Sequence, residues 1–318
     1  MPAPAALAPE KEARRSIRAD RVFFLLTLGS ATLVVVMLLG VMVSLVIGAW
    51  PALAKFGFSF IWTERWSPVK EIFGALAPIY GTLVTSAIAM AIGVPVSFGI
   101  AIFLTEICPQ RLRRPIGIAI ELLAGIPSII YGLWGFFVLA PFLQTTVQPF
   151  LINTLGDVPV IGALFGGAPY GIGLLTAGIV LAIMVLPFIT SITRDVFLTV
   201  PVLLRESAYG MGMTTWEVVC NIVIPYSRVG LVGGIMLGLG RALGETMAVT
   251  FVIGNSHRIS ASLLSPSTTI SAAIANEFTE ATGQLYTSSL VALGLILFVI
   301  TFTVLAAAKW LLIRTELK

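Results

Sequence analysis

Apolar and polar positions separate into six long runs with few or no charges, joined by shorter, more polar connections. Val22 to Gly48 carries no charge, and neither does Gly74 to Thr105. Pro115 to Ala140 is interrupted only by Glu121, and Tyr170 to Thr193 is the fourth run. Val229 to Gly254 is interrupted by Arg241 and Glu245, and Ser288 to Ala308 is the last. A helix rises about 1.5 Å per residue, so runs of this length cross a hydrocarbon core of about 30 Å. A non-helical segment would leave backbone amides unsatisfied in lipid, at several kcal/mol per group, so helices are expected throughout. The predicted fold class is all-α, a polytopic membrane protein with about six transmembrane helices. Val22–Gly48 is also much longer than the roughly 7–15 apolar residues of a signal-peptide core, so it is expected to be retained.

Composition agrees with this reading. The chain of 318 residues is 58% hydrophobic and 11% charged, against about 25% charged residues in soluble domains. The net charge of +4 does not point to nucleic acid, because the basic residues sit at the ends of apolar runs and form no patch with interleaved aromatics. Cys108 and Cys220 are far apart, with no CxxC spacing and no histidine nearby to make a metal set, and read as packing or surface thiols.

The Lys and Arg positions set the expected orientation. Lys11, Arg14, Arg15, Arg18 and Arg21 precede the first run; Arg111, Arg113 and Arg114 follow the second; Arg194, Arg205 and Arg228 follow the fourth; Lys309, Arg314 and Lys318 end the chain. The other side holds Lys55, Arg65, Lys70 and Arg258. Both termini are therefore expected in the cytoplasm, with residues 1–21 as a disordered tail rich in Ala, Pro and charge, and residues 22–318 as the transmembrane domain. The connections 49–73, 141–169 and 255–286 lie on the opposite side. In the last of these, Ile270, Ala273, Ile274 and Phe278 recur at helical spacing, which predicts a short amphipathic helix that either receives a partner or caps the bundle.

The connection at 194–228 carries the most local information. Pro201 suits a helix start, Gly210 and Gly212 supply a stop, and Thr214 with Glu217 has the spacing of a capping box for a second helix ending near Pro225. Two short helices joined by a glycine turn would face the cytoplasm. Glu206, Ser207, Ala208, Gly212, Ile222, Ile224 and Pro225 resemble the Glu-Ala-Ala, Gly, Ile, Leu-Pro pattern of ABC-importer permeases, with Ser207 in place of Ala and Ile224 in place of Leu.

The resemblance covers most of the chain. "YGTLVTS" at Tyr80–Ser86, "IPSIIYGLWG" at Ile126–Gly135, "GLGRALGETMAVTFVIGN" at Gly238–Asn255 and "LILFVITF" at Leu295–Phe302 are similar to the PstC-type permeases of bacterial high-affinity phosphate importers. It implies a type I ABC-importer permease fold in the bacterial inner membrane and inorganic phosphate as cargo. It also implies a PstA-type sister permease, a PstB-type ATPase dimer that binds ATP and Mg, and a PstS-type periplasmic phosphate-binding protein. On this resemblance Glu206, Ser207, Ala208, Gly212, Ile222 and Pro225 dock into the ATPase. The chain itself needs no cofactor. A Walker A motif requires a Gly-Lys pair, and none of Lys11, Lys55, Lys70, Lys309 or Lys318 follows a glycine. His257, the single histidine, lies in no recognisable catalytic set and reads as a surface side chain.

Charges inside the membrane are costly, at about 2.5–3.5 kcal/mol each near the centre, so Arg241 and Glu245 should not face lipid. Their i, i+4 spacing predicts one helix face. They either pair with each other and lock the bundle or border the translocation path, where the guanidinium fork of Arg241 suits phosphate oxygens. Glu121 is a second carboxylate of the spans, placed to meet Arg241 or the cytoplasmic interface. Gly230, Gly234 and Gly238, with Gly240 and Gly244, allow close helix approach, either within the chain or to a sister subunit. Gly93 with Pro95 and Gly125 with Pro127 are placed to kink or break their helices. By physics alone, a sulfate or molybdate permease, or an ion-driven secondary transporter, would satisfy the same charges.

Overall fold

The computed structural model describes residues 9–316 apart from 157 and 160. Six helices in it are long and apolar enough to cross a membrane. Residues up to Gly48 form one compact unit and residues 49–318 a second. The first unit is the greater part of one helix, α1 (Pro9–Phe56). Residues 9–21, expected in a disordered tail, belong to this helix; Glu, Lys, Ala and Arg are good helix formers and extend it beyond the apolar run. Residues 1–8 lie outside the described residues.

Short helical turns at Ser59–Trp62, Pro68–Lys70 and Gly162–Phe165 aside, the order in the second unit is α2 (Leu76–Ile107), α3 (Gln110–Ala124), α4 (Ser128–Leu155), α5 (Leu174–Leu198), α6 (Val202–Gly210), α7 (Thr215–Leu243), α8 (Met247–Val252), α9 (Ile270–Glu277) and α10 (Gln284–Glu316). The core is the contact of α2 with α5. A Cβ on Gly178 would lie 2.5 Å from Ile88, so the two backbones approach closely because that position is glycine. Ala89, Ala177, Val180, Leu181, Val185 and Ile189 are buried there, and Ser97 Oγ donates to the Leu186 carbonyl at 3.1 Å. Despite Gly93 and Pro95, α2 runs on as one helix and closes in a π turn at Phe103–Ile107.

The third span differs from the hydropathy reading. It begins at Ser128, and the stretch before it, including Glu121, is the separate amphipathic helix α3. Gly125 caps α3, and Pro127 disfavours helical geometry at Ile126, so the run breaks there. Beyond Ala140, where a loop was expected, α4 continues to Leu155. A π turn at Gly135–Leu139, closed by Ala140 N–H on the Gly135 carbonyl, admits Pro141 without ending the helix.

The fifth span differs at both ends. It starts at Thr215, since a π turn at Val219–Val223 lets the helix run through Pro225. The second helix of the 194–228 connection is therefore continuous with the membrane span. The span stops at Leu243 with Gly244 as its cap, and α8 follows as a separate piece. Gly230, Gly234 and Gly238 pack within the chain: a Cβ at each would come within 2.7–2.9 Å of Val196, Ile192 and Ile189 of α5. The short helix α9 caps the bundle, with Ile270 and Ala273 buried beside Phe73, Leu290 and Leu293, while Phe278 is exposed.

Candidate functional site

Three groups of residues carry the chemistry. The first lies where the fifth span breaks. Expected on one face of a continuous helix, Arg241 and Glu245 are separated by the break at Gly244, and no ion pair joins them among the described residues. Glu245 is turned to the other side of the break, where its Oε1 accepts the Ala248 N–H of α8 at 3.2 Å. Arg241 ends α7 with an exposed side chain, a position at which the helix dipole favours a cation. It lies within electrostatic range of Tyr131, whose hydroxyl donates to the Leu123 carbonyl at 2.8 Å. α8 is seated on α4 through Gly132, where a Cβ would lie 2.8 Å from Phe251 and 3.0 Å from Ala248. Among the described residues the break leaves Arg241 a cation with no carboxylate partner, near the middle of the apolar stretch in which the sequence places it.

Glu121 lies outside the six candidate spans and does not pair with Arg241. From α3 it pairs with Arg194 at the end of α5, at 2.7 Å, and Arg194 also holds Asp195 at 2.9 Å. Gly117, one turn earlier on α3, makes room for the guanidinium: a Cβ there would lie 2.8 Å from Arg194 Nη1. Connections after the second and fourth spans share one side, so this pair stands beside the 194–228 connection.

That connection is the second group. Gly212 has φ +85°, the left-handed turn that glycine accepts. Thr214 and Glu217 form the capping box in both directions, with Thr214 N–H donating to Glu217 at 2.8 Å and Glu217 N–H to Thr214 at 3.4 Å. Glu206 and Ser207 are exposed, Ala208 is fully buried, Ile222 is half-buried and Pro225 is exposed within the helix α7. Ala208 packs with Phe197, Val200, Val218 and Val223. Outside this small core, Leu203, Met211 and Trp216 are each 71–72% exposed. A rigid knob with apolar tips is what a partner's groove would accept.

Arg205 and Glu106 were missed by sequence reasoning. Arg205 Nη1 lies 3.1 Å from Glu106 Oε1, with side chains 15% and 4% exposed. Arg205 otherwise entered only the tally of basic residues. A buried pair between the second span and α6 leaves no local trace in the sequence.

The third group sits on the opposite side. His257 is not a surface side chain: its ring stacks on Trp66 at 5.1 Å and 7°. Its Nε2 comes within 3.3 Å of Glu277 without forming a hydrogen bond. Glu277 is held by Trp66 Nε1 at 2.6 Å and the Tyr286 hydroxyl at 2.8 Å. Burial pushes His257 down to about 4 and Glu277 above the usual carboxylate range. The folded protein therefore keeps His257 neutral, and its contribution to stability is complete above about pH 6.5 and lost as pH falls toward 4, at most about 3 kcal/mol. Glu277 acts in the opposite direction as it takes up its proton on acidification, offsetting part of the loss. Thermal unfolding of His257→Phe, which keeps the stack, should show a flatter dependence between pH 6.5 and 4 than the parent. An equal slope in the two would remove His257 as the cause.

Residues 93–316 match the family model described as binding-protein-dependent transport system inner membrane component. The chain is 67% identical over 303 residues to the phosphate transport system permease protein PstC of Mesorhizobium japonicum, covering 95% of this chain and 93% of that one. It is 60% identical to the PstC protein of Pasteurella multocida, over 91% and 90% of the two chains. Among solved structures, a chain of a bacterial ABC transporter that imports the acidic polysaccharide alginate superposes with TM-score 0.61 at 15% identity, covering 95% and 99%. A chain of the inward-facing methionine ABC transporter superposes with TM-score 0.57 at 16% identity, covering 79% and 99%. At these identities the structures support the fold alone, a type I ABC-importer permease, as the sequence motifs implied.

Proposed function

We infer the function from one premise: the chain belongs to the PstC family of phosphate transport system permease proteins, which are binding-protein-dependent inner-membrane components. It is a multi-pass inner-membrane permease subunit of an ABC importer for inorganic phosphate, a transport component and not an enzyme. It works in a complex with an ATPase and a periplasmic binding protein. The observation that carries the substrate is the 67% identity to a phosphate permease over 95% of the chain.

The finer reading adds the parts. The sister permease is PstA-type, the ATPase a PstB-type dimer that holds ATP and Mg, and the binding protein PstS-type. Phosphate crosses beside Arg241, which the broken fifth span leaves exposed and, among the described residues, without a carboxylate partner. Glu206, Ser207, Pro225 and the exposed apolar residues around the Gly212 turn enter the ATPase groove, while Ala208 and Ile222 hold the knob's shape. Both termini and the 194–228 connection face the cytoplasm, as the basic residues require.

Two measurements test this. A cytoplasm-active reporter should work after Lys318 and fail after Gly167, and reversed results at both sites would overturn the orientation. The assembled complex should hydrolyse ATP faster when the binding protein carries phosphate, with sulfate and molybdate without effect. Stimulation by either of those and none by phosphate would reassign the substrate.

A further inference from the structure

The knob that meets the ATPase must also be fastened to the elements that open the path. Its small apolar core reaches α5, through Phe197, α7, through Val218, Val223 and Leu231, and the second span, through Ala101 with Phe98 and Ile102. The polar contact between α6 and the second span is Arg205 with Glu106, 3.1 Å apart and both largely buried. Glu106 stands in the π turn Phe103–Ile107 that ends the second span. Arg205 also donates through Nη2 to the Phe197 carbonyl, so one guanidinium joins α6 to the ends of both α2 and α5. The neighbour of Glu106 in that turn, Thr105, gives its carbonyl to Arg113 Nη2 of α3 at 2.8 Å. Beyond α3 comes the Gly125–Pro127 break and then the third span. The knob, the end of the second span and α3 are thus joined in series by two arginines meeting consecutive residues.

A buried ion pair is a poor way to gain stability alone, because desolvating both charges costs about what their attraction returns. Here the pair is also imperfectly bonded: Glu106 Oε1 and Arg205 Nε have no aligned hydrogen bond. The position gives a different reason for two charges: they tie α6 to the closing π turn of the second span, beyond the apolar contact at Ala101 and Ile102.

We propose that the Arg205–Glu106 pair is the link by which movement of the α6 knob reaches the second span and, through Thr105 and Arg113, α3. Both are positioning residues, and neither meets phosphate or ATP. The link rests on the phosphate-importer reading above, since it transmits motion only if an ATPase drives the knob.

The test uses the whole complex in proteoliposomes and reads labelled phosphate taken up per ATP hydrolysed, at matched amounts of assembled complex. Glu106→Gln keeps the shape and removes the charge, and should lower this ratio at least about fivefold, the small end of typical coupling between sites. A role confined to stability would reduce the amount of complex and leave the ratio where it was. An unchanged ratio in a normally assembled Glu106→Gln complex overturns the link. Should that variant fail to assemble, Arg205→Lys is read in its place, since it keeps the charge but lacks the fork that reaches Glu106 and Phe197 together. A lowered ratio there supports the link and an unchanged one overturns it. A parent complex that takes up no phosphate at all would overturn the importer reading, which separates that failure from a failure of the link alone.

Discussion

Arg241→Gln is expected to yield normally assembled complex with phosphate uptake reduced roughly 10- to 100-fold, the worth of one charge-assisted contact to an anion. The structure sharpens this expectation. Had Arg241 been paired with Glu245, its removal would have left a lone buried carboxylate, and breaking such a pair costs about 3–5 kcal/mol, so assembly would suffer. Glu245 instead accepts the Ala248 N–H in the first turn of α8, and a glutamine oxygen can accept the same bond. Arg241→Gln and the double change with Glu245→Gln should therefore behave alike, both assembled and both transport-deficient. Arg241→Lys keeps the charge and loses the planar fork, so it should retain more uptake than the glutamine variant. The measurements are yield of complex and labelled phosphate uptake at equal yield. Near-normal uptake by Arg241→Gln would take Arg241 out of the path, and loss of assembly repaired by the double change would restore the structural pair.

Gly212→Pro should abolish the stimulation of ATP hydrolysis by phosphate-loaded binding protein while insertion into the membrane stays normal. Proline fixes φ near −65°, and Gly212 has φ +85°. The Gly212 N–H also donates to the Tyr209 carbonyl at 2.9 Å, a bond proline cannot make. The turn that aims Leu203, Met211 and Trp216 would be rebuilt. Space is not the obstacle, since a Cβ at Gly212 meets nothing within 4 Å. Gly212→Ala should accordingly be milder, with only the roughly 1–2 kcal/mol strain of a left-handed alanine to bear. Full stimulation in an assembled Gly212→Pro complex would remove the knob's geometry from the mechanism.

What the sequence disclosed and what it hid follow from the range of the forces involved. The capping box of Thr214 and Glu217 and the left-handed Gly212 were legible because their signals lie within a few residues. The number of spans was legible because a bilayer demands long apolar runs. Span edges were not, since hydropathy weighs side chains and the edges here are backbone events. The isoleucines and leucines of α3 look like a span until Pro127 breaks it, and π turns carry helices through Pro141, where a loop was expected, and Pro225, where a helix was expected to end. The same limit governed the charges. Arg241 and Glu245 share a helical face only if no break falls at Gly244. Glu121 with Arg194 and Glu106 with Arg205 are pairs made by packing of distant elements. No local spacing rule could have found them.

The most direct test of phosphate import driven by ATP uses proteoliposomes holding this chain with its sister permease, ATPase and binding protein, and no imposed ion gradient. ATP is supplied on the side of the 194–228 connection and labelled phosphate, with the binding protein, on the other. The account predicts accumulation of phosphate only when ATP is hydrolysed. Accumulation driven by an ion gradient without ATP, or ATP-driven accumulation of sulfate or molybdate with none of phosphate, would contradict it.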